Sequence, residues 1–224
     1  TNSLPVVRGS GWLSVPEKQI LLDITQHHLD AGSRRYSGDL AQWVIVKLNE
    51  SDYRVMLSRA YIQAEIAYFK GNPDHGIQSE IDSNLVSVLD ASLRAGNLDW
   101  AAIAQLKVKY HDQFERTPWS SQFLKTNLVS LADISDERIA RLSLSLTWSS
   151  QKGYRDAESS WPVEMPVYAV AAKVDFRRDG LSVFSKNYAA GEFKSSYKMW
   201  GDTPCDVTIG QLLQDLDDGL NRQK

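Results

Sequence analysis

The sequence predicts an α+β fold in which a mainly helical N-terminal two-thirds packs with a small antiparallel sheet of about three strands and a C-terminal amphipathic helix. Three observations lead there. Residues 14–133 carry apolar side chains at helical spacing between glycine and proline stops. Near residue 142 the rhythm changes, so that Leu142, Leu144, Leu146 and Trp148 alternate with Ser143, Ser145 and Thr147. From Thr208 the helical spacing returns in Ile209, Leu212, Leu213, Leu216 and Leu220. The chain reads as a single domain, 1–224, with a subdivision into a helical part (14–133) and a sheet-plus-helix part (139–224).

Taken in order, Ser14, Pro16 and Glu17 form a helix-start signature, with a capping hydroxyl, a first-turn proline and a reciprocal carboxylate. The following helix should bury Ile20, Leu21, Ile24 and His28 and stop at Gly32. Residues 39–48 suit a helix through Leu40, Trp43, Val44 and Leu48, although Trp-Val-Ile-Val would also suit a strand. Ser51 is expected to open a long central helix through Phe69 that Gly71-Asn72-Pro73 ends. Two further helices are predicted, one after Ser79 up to Gly96 and one from Leu98 through Phe114 to the Thr117-Pro118 break. Phe123, Leu124, Leu128 and Leu131 extend the helical reading to Asp133.

The strand from Leu142 is followed by a polar, proline-containing stretch, 149–166, which reads as a loop. Tyr168 to Phe176 alternate again, Asp179-Gly180 supplies a two-residue turn, and Leu181–Tyr188 returns as the second arm of a hairpin. Thr208 and Gln211 then form a capping box for the terminal helix.

Composition narrows the function classes. With 25 Lys plus Arg against 28 Asp plus Glu, the net charge is −3, which gives no general attraction for polyanions, and nucleic acid is not an expected partner. The lone Cys205 excludes an internal disulfide and a metal site built on several thiolates. Cysteine usage points to the cytoplasm; a removed leader would instead place the chain in the periplasm, and Thr1 fits either history. No apolar run reaches the ~20 residues of a membrane span, so a soluble protein is expected.

One constellation carries catalytic potential. Asp179, with Asp175 as an alternative, precedes Glu192-Phe193-Lys194 across the hairpin. This acid, then acid-x-Lys order resembles the PD-(D/E)xK nuclease superfamily over about 20 residues. The resemblance implies Mg²⁺ held by Asp179 and Glu192, a water positioned by Lys194, and phosphate held by Arg177 or Arg178. Two departures stand against it: Ala189-Ala190-Gly191 replaces an apolar strand before the second acid, and no proline precedes Asp179. Read plainly, Asp179-Gly180 is a type I′ turn and Glu192 with Lys194 a solvated pair.

Other candidates are thinner. Asp23, His27 and Asp30 would share one side of a helix and could present a divalent ion with nitrogen and oxygen. His75 and His111 stand alone, Gly9-Ser10-Gly11 lacks the strand and helix of a nucleophile elbow, and Asp206 beside Cys205 disfavours a thiolate. Arg177 and Arg178, with Lys186, Lys194 and Lys198 among Tyr188, Phe193, Tyr197 and Trp200, suggest a basic, aromatic surface.

The favoured reading is therefore a non-catalytic binding or assembly protein that recognises another protein, without a cofactor. Arg177, Arg178, Trp161, Tyr197 and Trp200 are its candidate contacts. The alternatives are the Mg²⁺-dependent nuclease or phosphodiesterase and a small-molecule binding domain with a pocket between helices and sheet.

Overall fold

The structure, a computed structural model, describes residues 11–29, 37–71, 77–109, 128–154, 164–193 and 207–220. It corrects the expected fold class. In place of a small three-stranded sheet beside a helical body, seven strands form one mixed sheet in the order β3-β4-β2-β1-β5-β6-β7. The strands are β1 (Gln19–His28), β2 (Arg54–Ser58), β3 (Asn97–Asp99), β4 (Leu128–Ala132), β5 (Ala140–Tyr154), β6 (Glu164–Arg178) and β7 (Leu181–Phe193). Five helices accompany them among the described residues: α1 (Ser37–Glu50), α2 (Arg59–Gly71), α3 (Ile77–Ala95), α4 (Trp100–Lys109) and α5 (Val207–Gly219). None is long and apolar enough to cross a membrane.

The centre of the sheet is parallel, with β1 between β2 and β5, and β4 outside β2. The flanks are antiparallel, β3 on β4 and β5-β6-β7 as a meander. Strands β1, β2 and β4 lie where the sequence predicts helix. In β1, Ile20, Leu21 and Leu22 are buried in succession. A strand covered on both sides has a continuous apolar run and no alternation. The presumed helix start is instead a turn, closed by Lys18 N–H donating to the Val15 carbonyl, with Lys18 at φ 51°.

β2 hides because it passes into α2 without a loop. The capping residue is Ser58 rather than Ser51: its Oγ accepts the Tyr61 N–H at 3.4 Å, and the helix begins at Arg59. β4 covers Leu128 and Leu131, whose spacing also suits a helix; Phe123 and Leu124 lie outside the described residues. The helix expected from Leu98 begins at Trp100, where Asp99 Oδ1 caps the Ala102 N–H at 3.0 Å.

The elements after residue 140 follow the sequence pattern more closely. Asp179 and Gly180 have φ of 53° and 74°, the two positive values that a type I′ turn requires. Helix α5 buries Ile209, Leu212, Leu213 and Leu216, each worth roughly 1.5–3 kcal/mol when removed from water. The Thr208 hydroxyl donates to the Ala189 carbonyl at 2.8 Å and so pins the start of α5 to β7. Lys47 on α1 meets Asp217 on α5 at 2.7 Å.

One core cluster unites the helices with one side of the sheet: Leu22, Ile24, Leu142, Leu144, Leu146, Trp148, Val170, Val174, Phe176 and Tyr188 all belong to it. The neighbouring side chains in each strand belong to the opposite face. Among the described residues this region is thus two-layered, with the helices packed on one side of the sheet.

Candidate functional site

Pleating sends alternate side chains to opposite faces, and register determines what shares the face that no helix among the described residues covers. Pairing sets Asp23, Thr25 and His27 of β1 level with Ser143, Ser145 and Thr147 of β5. Those lie opposite Asp175, Lys173 and Ala171 of β6, and Lys173 and Asp175 face Asn187 and Ser185 of β7. The result is a strip of short hydroxyls framed by charges. Thr25, His27, Lys173, Ser185 and Asn187 are exposed, and Ser143, Ser145 and Thr147 are half-buried. Towards β2 the same face closes over, since Leu21 and Met56 are buried.

Where β5 begins, residues 133–139 between β4 and β5 approach this face. Ile134, Ile139, Arg141, Arg177 and Gly180 line a pocket of about 110 Å³, with Asp136 and Glu137 contributing acids. Asp136 is already engaged. Arg138 donates to it from Nε and Nη2 at 3.0 Å and from its backbone N–H at 3.1 Å. Those hydrogen bonds hold the Asp136 carboxyl below the usual carboxylate range. Arg177 donates from Nε to Asp175 Oδ2 at 2.9 Å, and Ser182 Oγ donates to Asp175 Oδ1 at 2.6 Å. Arg141 differs from both, because its Nε is buried with no acceptor.

A second polar cluster anchors α5. Lys186 meets Asp215 at 2.7 Å, and the Tyr188 hydroxyl donates to the same carboxylate. Desolvation first, then the hydrogen bond to Asp215 and its negative charge, push the Tyr188 hydroxyl pKa far above the ordinary tyrosine range. A third cluster is internal. The Gln26 amide donates to the buried Glu65 carboxylate while its oxygen accepts Trp148 Nε1–H at 2.9 Å. Both read as structural ties between α-layer and sheet.

The predicted site residues are scattered by this geometry. Asp179 sits exposed in the turn, whereas Glu192 pairs with Ala169 near the far end of β7. With nine residues of β6 between those levels, roughly 30 Å separates the two backbones. Asp175, the alternative first acid, is six residues of β6 from Ala169, roughly 20 Å. The acids that would share Mg²⁺ are therefore not brought together. Lys194, Trp161, Tyr197 and Trp200 lie outside the described residues, as do Asp30, His75, His111 and Cys205.

Arg177 and Arg178 point to opposite faces. Arg177 lines the pocket, while Arg178 donates from Nη1 to the Ser14 carbonyl at 2.8 Å and fastens the N-terminal segment. Asp23 and His27 do share a face, but as strand residues four apart they stand roughly 13 Å from each other. Among the described residues no group of three or more His, Cys, Asp or Glu is placed to hold a metal ion. Arg141 was overlooked in the sequence. The signal was present, since the alternation from Leu142 puts Arg141 in phase with Ser143 and Ser145.

No family model and no curated protein matches the chain. Among solved structures, the crystal structure of a neuraminyllactose-binding hemagglutinin homolog from Helicobacter pylori aligns with 98% of this chain and 88% of its own, at 6% identity and a TM-score of 0.23. Agreement at that level carries no argument about fold or function.

Proposed function

We propose that this chain is a non-catalytic binding protein that recognises another protein through the helix-free face of its sheet. The observation that supports the reading is the face itself: Ser143, Ser145 and Thr147 are flanked by exposed Thr25, His27, Lys173, Ser185 and Asn187. Short hydroxyl side chains lose little rotamer entropy on contact and offer both donors and acceptors. A partner can therefore lie flat on the strip and be orientated by the charges at its margins. The aromatic and basic residues first expected to make the contact contribute Arg177 to this surface.

Affinity capture from cell extract tests the reading with three variants. Ser145→Arg and Thr147→Arg block the face, and Gln63→Arg places the same charge on exposed surface of α2. A protein retained by wild type and Gln63→Arg but lost by both face variants is the expected result. Retention of every captured protein by Ser145→Arg and Thr147→Arg contradicts it.

A further inference from the structure

Register sorts the exposed face of the sheet into levels of opposite charge. Asp23, Ser143, Asp175 and Ser185 stand side by side across β1, β5, β6 and β7. Two residues further along the strands, about 7 Å away, Thr25, Ser145, Lys173 and Asn187 form the next level. The first level carries two carboxylates. The second carries one ammonium among hydroxyl and amide groups, and Thr25, Lys173 and Asn187 in it are exposed.

This pattern is complementary to itself. A two-fold axis lying in the plane of the sheet, perpendicular to the strands and between the two levels, turns a second copy face-down and reverses the order of its levels. Each strand then lies over its own counterpart, and every contact occurs twice. Lys173 meets the partner's Asp175, Thr25 meets the partner's Asp23, and Ser145 meets the partner's Ser143. A two-fold parallel to the strands would instead set the carboxylate level on the carboxylate level, where like charges repel.

Size and valence agree with the first arrangement. Ser143 and Ser145 lie at its centre, with Thr147 and Ala171 at the next level, and such short side chains let two sheets approach to about 10 Å. Asp175 can take a further donor, since Arg177 and Ser182 each use one of its oxygens once and a carboxylate has about four lone-pair sites. Four strands at about 4.8 Å spacing and four levels at about 7 Å cover roughly 500 Å² on each copy. The total of roughly 1,000 Å² stands at the lower limit of specific interfaces, so the complex is weak and reversible.

We infer that the protein recognised by this face is a second copy of the chain, in an isologous dimer where Lys173 of each copy pairs with the partner's Asp175. The inference rests on the face proposed above as the binding surface and names what it binds.

Sedimentation velocity of the purified chain, from micromolar to millimolar concentration, tests it. Wild type should pass from monomer to dimer as concentration rises, and added salt should weaken the dimer by screening the charge pairs. Lys173→Asp and Asp175→Lys should each remain monomeric where wild type dimerises, because each sets like charges against one another across the axis. Mixed in equal amounts, the two variants should dimerise again, since both pairs are then of opposite sign. Lys173 is exposed, so Lys173→Asp alone carries the test if Asp175→Lys, which gives up the Arg177 and Ser182 contacts, does not fold. Wild type that stays monomeric throughout, an undiminished dimer in Lys173→Asp, or a mixture of two folded variants that stays monomeric overturns the inference. A monomeric chain that still captures a different protein through Ser145 and Thr147 overturns the dimer alone, so the two readings fail separately.

Discussion

The indole of Trp12 lies flat on the ring of Phe184, with centroids 4.0 Å apart and planes 9° from parallel. Phe176 meets the same indole edge-on at 5.7 Å. Around this stack the segment from Gly11 meets the end of α5. Gly11 N–H donates to the Asp218 carbonyl at 3.0 Å and Leu13 N–H to the Gly219 carbonyl at 2.9 Å, satisfying carbonyls that the end of α5 would otherwise leave open. The Tyr53 hydroxyl donates to the Leu13 carbonyl and accepts the Val15 N–H, which fixes the segment over the core.

Gly219 is where this arrangement is least tolerant. A Cβ there would lie 2.7 Å from Trp12 Nε1 and 2.8 Å from Cζ2. Alanine elsewhere in a helix gains about 0.5–1 kcal/mol over glycine; here overpacking should reverse the sign and cost about 1–3 kcal/mol. Urea denaturation should show Gly219→Ala destabilised in wild type. In a Trp12→Ala background, itself destabilised by about 3–5 kcal/mol, the same change should become neutral or favourable.

Tyr188 makes stability depend on alkaline pH. Its hydroxyl pKa is raised in the folded protein by burial and by Asp215, whereas in the unfolded chain it ionises near the ordinary value of about 10. The stabilisation is thus fully present below about pH 10 and declines above it, because the unfolded chain then releases a proton that the folded one keeps. Denaturation midpoints measured across pH 8 to 11, a window chosen around that ordinary value, should fall more steeply for wild type than for Tyr188→Phe. Equal slopes would count against the Tyr188–Asp215 contact.

Gln26 ties two buried partners at once. Replacing it with leucine removes the donor to Glu65 and the acceptor of Trp148 Nε1–H. A buried polar group that loses its partner costs about 1–3 kcal/mol, and Glu65 keeps a further contact, so Gln26→Leu should lose about 1–3 kcal/mol in chemical denaturation despite its added apolar surface. A neutral result would mean that the amide is not the link between α2 and the sheet.

These contacts also explain what could be read in advance. The β6–β7 hairpin and α5 were legible because each is specified locally, by alternation around Asp179-Gly180 and by one apolar stripe. β1, β2 and β4 were not, since central parallel strands pair with residues far away in sequence: Ile20 with Val55 and with Ala140. Burial on both faces removed the alternation in β1, and the Ser14-Pro16-Glu17 pattern imitated a helix cap. The Arg141–Arg177 pair depended on register across 36 positions, for which side-chain spacing within either strand gives no measure. Asp179 and Glu192 failed as a pair for the converse reason: closeness in sequence across a hairpin holds only near its turn, and Glu192 is eleven residues beyond the β7 end of it.

The open sheet face is the claim from which the binding proposals follow, and thiol labelling measures it directly. In a Cys205→Ser background, single cysteines replace Ser145 and Lys173 on the hydroxyl side and Leu144 and Leu146 on the helical side. The two-layer arrangement predicts rapid maleimide reaction of native protein at 145 and 173, and protection at 144 and 146 until denaturant is added. Protection at 145 and 173 with reaction at 144 and 146 would contradict it.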